Sequence, residues 1–333
     1  MDSLDSSIAD SKPALGVSAC LLGESVRYDG AHKRSALLQA SLSGLLSMHG
    51  FCPELSAGFG VPRPTIALYE DAGAVELRRN PGQQGKLDLK ENLAPAMIQS
   101  CEEIFRACQN LNGYIFMQRS PSCALASAQL ISDQRSSDQA NSEARYIDGV
   151  FAAELKRRLP ALPVVQECDL HHGPSLDRFL VAVYAHHRLS KIQQSQSFSE
   201  LLDFHSRYKY TVMAYSVPAY KRLGKLLACR NADNFSAQFE EYRLGFMQIF
   251  KQEPSRGAIV NALMHIMGYV KQQLSAEQSQ QLLGQMHAYR LGEQALQPII
   301  VELHNAIELW GSEYIRRQYF WCPHPLSEQL RAL

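Results

Sequence analysis

Ala14-Leu15-Gly16-Val17-Ser18-Ala19-Cys20-Leu21-Leu22 is a nearly unbroken apolar run that stops at Gly23. A short run of this kind, closed by a turn residue, predicts a strand buried on both faces, as parallel sheets require. Gly113-Tyr114-Ile115-Phe116-Met117 and Leu162-Pro163-Val164-Val165 have the same form. Helical periodicity fills the gaps between them. Ser35 to His49 carries Leu37, Leu38, Leu42, Leu45 and Leu46 on one face, and Asn92 to Asn110 repeats in Met97, Ile104 and Phe105. Ile147 to Leu159 and Leu176 to His187 read as further helices, and Thr65 to Glu70 with Ala74 to Arg78 as a hairpin. Residues 133–144 are polar and poor in apolar side chains, the composition of a surface loop. Alternation of strand and helix predicts an α/β doubly wound (Rossmann-like) N-terminal domain over residues 1–190.

Beyond a polar stretch at 189–198, read as a linker, the pattern changes to helix alone. Helices are expected from Ser199 (as N-cap) to Tyr215, Ala219 to Cys229, Ala232 to Phe250, Ala258 to Gln273, Ser275 to Gly292 and Pro298 to Tyr319. Residues 191–333 are therefore expected to be an all-α C-terminal domain. Two domains suit 333 residues, because a single core stops growing near ~250–300 residues.

The formal net charge is zero, so no global field attracts a polyanion and any nucleic-acid contact must be local. Eight cysteines are too few for a disulfide scaffold in a chain of this length. The first residues lack the basic and apolar regions of a secretory signal, and no apolar run approaches the ~20 residues of a membrane span. A cytoplasmic protein with reduced thiols and no membrane partner is expected.

Three cysteines stand where an apolar run meets a turn signal: Cys20 before Gly23, Cys52 before Pro53, and Cys123 in Ser120-Pro121-Ser122-Cys123. In an open α/β sheet, ligands bind outside the carboxyl ends of the strands. Three thiols at such ends would converge on a soft-metal site with no fourth cysteine. The competing reading is that each is core filler, since free cysteine packs as a small hydrophobe. No CxxC pair points to structural zinc. Glu54, two residues after Cys52, is a candidate acid/base or a helix N-terminal carboxylate. Arg63, between Pro62 and Pro64, suits an anion, a planar base or a loop salt bridge.

Between Asp203 and Asp233 lie Arg207, Lys209, Lys221, Arg222, Lys225 and Arg230 with no acid, interleaved with Tyr208, Tyr210, Tyr215 and Tyr220. Cations neutralise phosphates and aromatics stack on bases, so this stretch is a candidate RNA-binding surface. A solvated helix face with core tyrosines is the alternative.

The first ~190 residues resemble the thiouracil desulfidase family through Ser18-Ala19-Cys20-Leu21-Leu22-Gly23, Arg27-Tyr28-Asp29-Gly30, Cys52-Pro53-Glu54, Gly60-Val61-Pro62-Arg63-Pro64 and Ser120-Pro121-Ser122-Cys123. Ala31 and Ala124 depart from its usual glycines. The rest is similar to a helical domain of unknown function often fused to it, through Phe204 to Tyr210, His265 to Lys271 and Gln318 to Pro325. The fusion resembles bacterial enzymes that turn 4-thiouridine in tRNA back into uridine. The resemblance implies a [4Fe-4S] cluster held by Cys20, Cys52 and Cys123, with one iron left open to the soft thiocarbonyl sulfur of a thionucleobase. It implies non-redox, hydrolytic C–S cleavage with Glu54 and Ser120 as catalytic residues. Arg27, Arg63 and Ser122 are expected at the substrate, and Arg207, Lys209, Lys221, Arg222 and Lys225 on tRNA. Free thiouracil as substrate, a non-catalytic iron–sulfur RNA-binding protein and a structural zinc protein are the rival readings.

Overall fold

The structure, a computed structural model, describes residues 11–80, 91–132, 144–229 and 234–331. Its strands are β1 (Ala14–Ser18), β2 (Ser47–Phe51), β3 (Ile66–Asp71), β4 (Ala74–Arg79), β5 (Gly113–Phe116), β6 (Ala128–Ser132), β7 (Arg145–Ile147) and β8 (Val164–Gln166). The opening apolar run is at the centre of a four-stranded sheet of order β2-β1-β5-β8, parallel throughout. The run does not stay extended to Leu22. It leaves the sheet at Ser18, and Ala19–Leu22 form a 3-10 turn closed by Gly23 at a φ of 97°. Such a left-handed cap costs glycine no steric penalty.

The helix expected from Ser35 to His49 is largely replaced. A short helical stretch ends in a π-helical turn at Leu38–Leu42, and Ser47–Phe51 instead pair with Ala14–Ser18, residue for residue. The strand was hidden because it lies at the sheet's edge and only Met48 and Phe51 are even half-buried, so no apolar run marks it. The hairpin is present as β3 and β4. It belongs to a second sheet, β4-β3-β6-β7, mixed in direction, whose last two strands were not anticipated. Of the expected polar loop, residues 133–143 lie outside the described residues.

Among the described residues, the α-helices that accompany these strands are α1 (Pro53–Ser56), α2 (Ala94–Ser100), α3 (Glu102–Cys108) and α4 (Val150–Arg158). The single helix expected over 92–110 breaks at Cys101. Cys101 and Cys108 are fully buried, as core filler should be. An aromatic cluster anchors the core, with Tyr114 stacked on Phe116 at 4.2 Å and Phe105 on Phe151 at 5.2 Å between ring centroids.

The chain divides into two compact units between His171 and His172, earlier than the expected 190/191 boundary. The expected linker is helical, part of α5 (Gly173–Ser195), and ends at Gln196 with a φ of 50°. Its polar letters misled because Leu189 and Ile192 among them are buried and continue the packed face of the helix. Arg188 donates to the Tyr208 hydroxyl (2.5 Å) and the Pro323 carbonyl (3.0 Å), and lies 3.9 Å from the Tyr319 ring centroid.

The second unit continues with α6 (Phe198–Arg207), α7 (Lys209–Tyr215), α8 (Val217–Ala228), α9 (Phe235–Met247), α10 (Arg256–Met267), α11 (Ala276–Leu291), α12 (Gln297–Trp310), α13 (Glu313–Arg316) and α14 (Ser327–Arg331). The N-cap of α6 is Ser197, not Ser199. Ser197, Ser216, Asn234, Ser255 and Ser275 each accept a backbone N–H three residues on. Such caps are worth about 1 kcal/mol apiece. Among the described residues, no helix is long and apolar enough to cross a membrane.

Burial lowers the pKa of three histidines in this unit: His186 to about 3, His205 to about 4, and His324 in the same direction. The unfolded chain then binds more protons than the folded one once pH falls below the ordinary histidine value of ~6.5. The unit should lose stability steadily between pH 6.5 and 4. Urea midpoints followed by circular dichroism that stay constant over that window would contradict the buried, neutral state of these side chains.

Candidate active site

Cys20, Cys52 and Cys123 line one cavity of about 510 Å³. They reach it from three adjacent strands of the parallel sheet: Cys20 from the turn after β1, Cys52 immediately after β2, and Cys123 from the loop after β5. The carboxyl ends of parallel strands thus do what their position predicts. The Cys20 turn is held by the following loop, with Lys33 N–H on the Cys20 carbonyl and Ser35 N–H on the Leu21 carbonyl, both 2.9 Å. The Cys123 loop is held by α4. Val150 N–H donates to the Pro121 carbonyl, and Phe151 and Ala152 N–H to the Ser122 carbonyl. These helix-end donors have no partner within the helix itself. Gly149 permits the approach: a Cβ there would lie 2.5 Å from the Ser122 carbonyl carbon.

Burial raises the thiol pKa of Cys20 to about 11 and raises those of Cys52 and Cys123. The negative charge of Glu54 adds to the effect at Cys123, while a Ser18 hydrogen bond opposes it. Bare, the three sulfurs are neutral thiols, and a bound polycationic metal group would reverse that balance. Among the described residues, no group of three or more His, Cys, Asp or Glu gathers closely enough for a single metal ion. A cubane offers a separate iron to each thiolate, and three spaced cysteines around a roomy cavity fit that group.

Glu54 is in the first turn of α1 and lines the same cavity. Both of its oxygens are engaged. Arg63 donates to Oε2 from Nε at 2.9 Å and from a terminal nitrogen at 2.5 Å, and Ser122 Oγ donates to Oε1 at 2.9 Å. Arg63 thus forms the loop salt bridge that was one of its readings, and it also lines the cavity. Its side chain is only 4% exposed and that of Glu54 14%. Arg63 reaches back because the loop folds on its neighbour, with Arg63 N–H on the Tyr28 carbonyl at 2.9 Å. Ser122, expected at the substrate, is fully buried and serves Glu54 instead. Ser120 does line the cavity. Its Oγ accepts from Ser122 N–H (3.2 Å) and Cys123 N–H (3.1 Å), which caps the turn and leaves the hydroxyl proton to donate.

Arg27, Lys33 and Arg119 also line the cavity, and of these Arg27 has a carboxylate nearby, Asp29 at 3.8 Å. Ser18 has a part that the sequence reading missed. It is buried at the cavity wall, its Oγ accepting Met117 N–H at 3.0 Å while it meets the Cys123 sulfur. A serine inside an apolar strand beside a cysteine was the available signal. Ala31 and Ala124 take the usual glycine positions without left-handed backbone, so neither strains the site.

In the second unit, Lys221, Arg222 and Lys225 are exposed on α8, as expected of a phosphate-binding face. Arg207 is not: it is 7% exposed, stacks 4.1 Å from the Tyr319 centroid and donates to the Arg317 carbonyl. Tyr208 and Tyr210 are likewise buried, so the tyrosines of this stretch include core residues. Lys209 is half-buried over aromatic rings. Arg230 lies outside the described residues.

Residues 15–167 match the family described as 2-thiouracil desulfurase, and residues 209–325 match a family described as protein of unknown function, DUF1722. The uncharacterized protein YbgA of Escherichia coli (strain K12) is 27% identical over 157 residues, 46% of this chain and 93% of that protein. A solved structure, the [4Fe-4S]-dependent thiouracil desulfidase TudS, is 27% identical, covering 48% of this chain and 94% of that chain at a TM-score of 0.35.

Proposed function

We propose that this chain is an enzyme that removes sulfur from 4-thiouridine in tRNA, giving uridine and hydrosulfide with no net electron transfer. In this reading Cys20, Cys52 and Cys123 hold a [4Fe-4S] cluster. The observation that carries it is the convergence of these three thiols and Glu54 on one cavity, within the stretch that matches the 2-thiouracil desulfurase family. When bound, the cluster supplies a soft Lewis acid for a thiocarbonyl sulfur.

The remaining work falls to the chain itself. Glu54 takes a proton from the water that adds at C4 of the base, and returns one as the C–S bond breaks. Arg63 and Ser122 fix the direction of its carboxylate. The Ser120 hydroxyl donates to the base or to the water. Ala19, Val26, Phe51 and Ile66 supply apolar wall that limits bulk water. Nucleoside analysis of tRNA before and after incubation with anaerobically reconstituted protein tests the reaction: 4-thiouridine should fall and uridine rise in equal amount.

The tRNA half of the reading is supported by α8, where Lys221, Arg222 and Lys225 are exposed and have no carboxylate partner among the described residues. Reversing all three to Glu should weaken tRNA binding by roughly tenfold or more at low salt and change its salt slope, since phosphate contacts carry that dependence. Turnover of free 4-thiouridine should stay within about twofold of wild type. Unchanged tRNA affinity across a salt series would move the grip away from α8. The second reading, a desulfidase of free thiouracil, is favoured by the family's own description. It predicts faster turnover of the free base than of tRNA.

A further inference from the structure

Three tyrosines of the second unit form a ladder from core to surface. Tyr210, in α7, is buried, and its hydroxyl donates to the hydroxyl of Tyr269 at 3.0 Å. The Tyr269 ring meets Tyr210 edge-on and faces Tyr314, in α13, at 6.0 Å and a tilt of 35°. Tyr269 is 39% exposed and Tyr314 36%. A ring this large costs free energy in water, and two adjacent ones form a small apolar step with polar edges.

Lys209 adds charge to the step. Its Nζ is 5.1 Å from the Tyr210 centroid and 6.0 Å from that of Tyr314. Among the described residues no carboxylate pairs with it, and the nearby acids are committed elsewhere: Asp203 and Glu313 both face Arg317, at 3.9 and 3.7 Å. Tyr220, on α8, is near enough to be felt electrostatically by Tyr210 and Tyr314. It is followed on that helix by the exposed Lys221, Arg222 and Lys225. Burial raises the Tyr314 phenol to about 12, so at neutral pH its hydroxyl remains a donor.

We propose that the Tyr269–Tyr314 step, with Lys209 beside it, stacks an unpaired nucleotide of an RNA strand whose backbone follows the cations of α8. The proposal rests on the tRNA reading above and adds what that reading lacks, a means of telling unpaired RNA from duplex. Aromatic faces stack on any splayed base, whereas the bases of a helix are already stacked on each other. An ammonium 6.0 Å from the Tyr314 ring centroid suits the phosphate joined to such a base. A neutral peptide would leave Lys209 and the α8 cations without a counterpart.

The test uses the full chain, a short unstructured RNA oligonucleotide and a duplex of the same length, with binding read by fluorescence anisotropy at fixed salt. Tyr314→Ala and Tyr269→Ala should each weaken single-strand binding about tenfold, while duplex binding changes less than twofold. Tyr314→Phe should retain the affinity, because it keeps the ring. Thermal melting of each variant separates lost contacts from lost fold. Tyr269→Ala also strips Tyr210 of a partner, so Tyr314 gives the cleaner comparison. Equal single-strand affinity in wild type and both Ala variants overturns the proposal. So does an altered association state of the Ala variants with unchanged RNA binding, which would assign the step to a protein contact. The two readings fail separately. If wild type leaves 4-thiouridine in tRNA intact but the Ala variants lose single-strand binding, the desulfidase reading falls and the stacking site stands. If tRNA is desulfurated and the Ala variants bind like wild type, the stacking site alone falls.

Discussion

Cys20→Ser, Cys52→Ser and Cys123→Ser should each abolish desulfuration and lower bound iron after anaerobic reconstitution. A serine hydroxyl is a hard, poorly acidic donor where the cavity calls for a thiolate. Each of the three sulfurs approaches from a different strand end, so no neighbouring cysteine can replace a lost one. Cys101 is the most stringent control, because it is buried close behind Cys52, its sulfur 3.8 Å from the Pro53 carbonyl. Cys108→Ser should cost about 1–3 kcal/mol of stability for a buried hydroxyl without a partner, and Cys101→Ser less because the Pro53 carbonyl is there to accept, while iron and activity remain in both. Cys168, Cys229 and Cys322 should tolerate serine with little effect. Iron and sulfide analysis alongside the absorption spectrum decides the matter. Complete loss of iron in Cys101→Ser, with retention in Cys52→Ser, would mean that the ligand set is misassigned.

Glu54→Gln should keep iron and substrate binding but slow turnover by ~10²–10⁴-fold, the usual size of a general acid–base contribution. The substitution preserves volume and removes both the charge and half of the acceptor capacity. Three donors, two from Arg63 and one from Ser122, now converge on the carboxylate. An amide presents its own donors to one side of that array, so some loss of order should accompany the loss of chemistry. Wild-type turnover in Glu54→Gln would remove the residue from the mechanism. A requirement for a fresh reductant in every cycle would point to redox chemistry in place of proton transfer.

Much of the fold was legible because burial on both faces leaves a plain mark. Val17, Ile115 and their neighbours announce the inner strands of the parallel sheet, and the switch to helical periodicity announces the second unit. Cys20 and Cys123 were legible for the same reason, since each follows a strand whose end can be read, whereas Cys52 was marked only by Pro53 after it. The edge strand Ser47–Phe51 could not be read, because its stability comes from backbone pairing with β1 and not from its side chains. The linker expected at 189–198 failed in the opposite way. Its polar residues Gln193, Gln194 and Ser195 are exposed, and the helix runs on because Leu189 and Ile192, three apart, are buried.

Residue types and their order along the chain determined which groups are available: three thiols, a carboxylate beside one of them, and a run of cations without acids. Tertiary structure alone decided how they are used. It tied Arg63, still on the cavity wall, and Ser122 to Glu54, and it withdrew Arg207 into an aromatic stack while leaving Lys221, Arg222 and Lys225 in water. Local propensity acts over a few residues, but a charge settles wherever the folded chain brings its counter-charge or an aromatic face. That meeting depends on contacts from 9 residues away, for Arg63 and Glu54, to 68, for Ser122 and Glu54, and no local pattern records them.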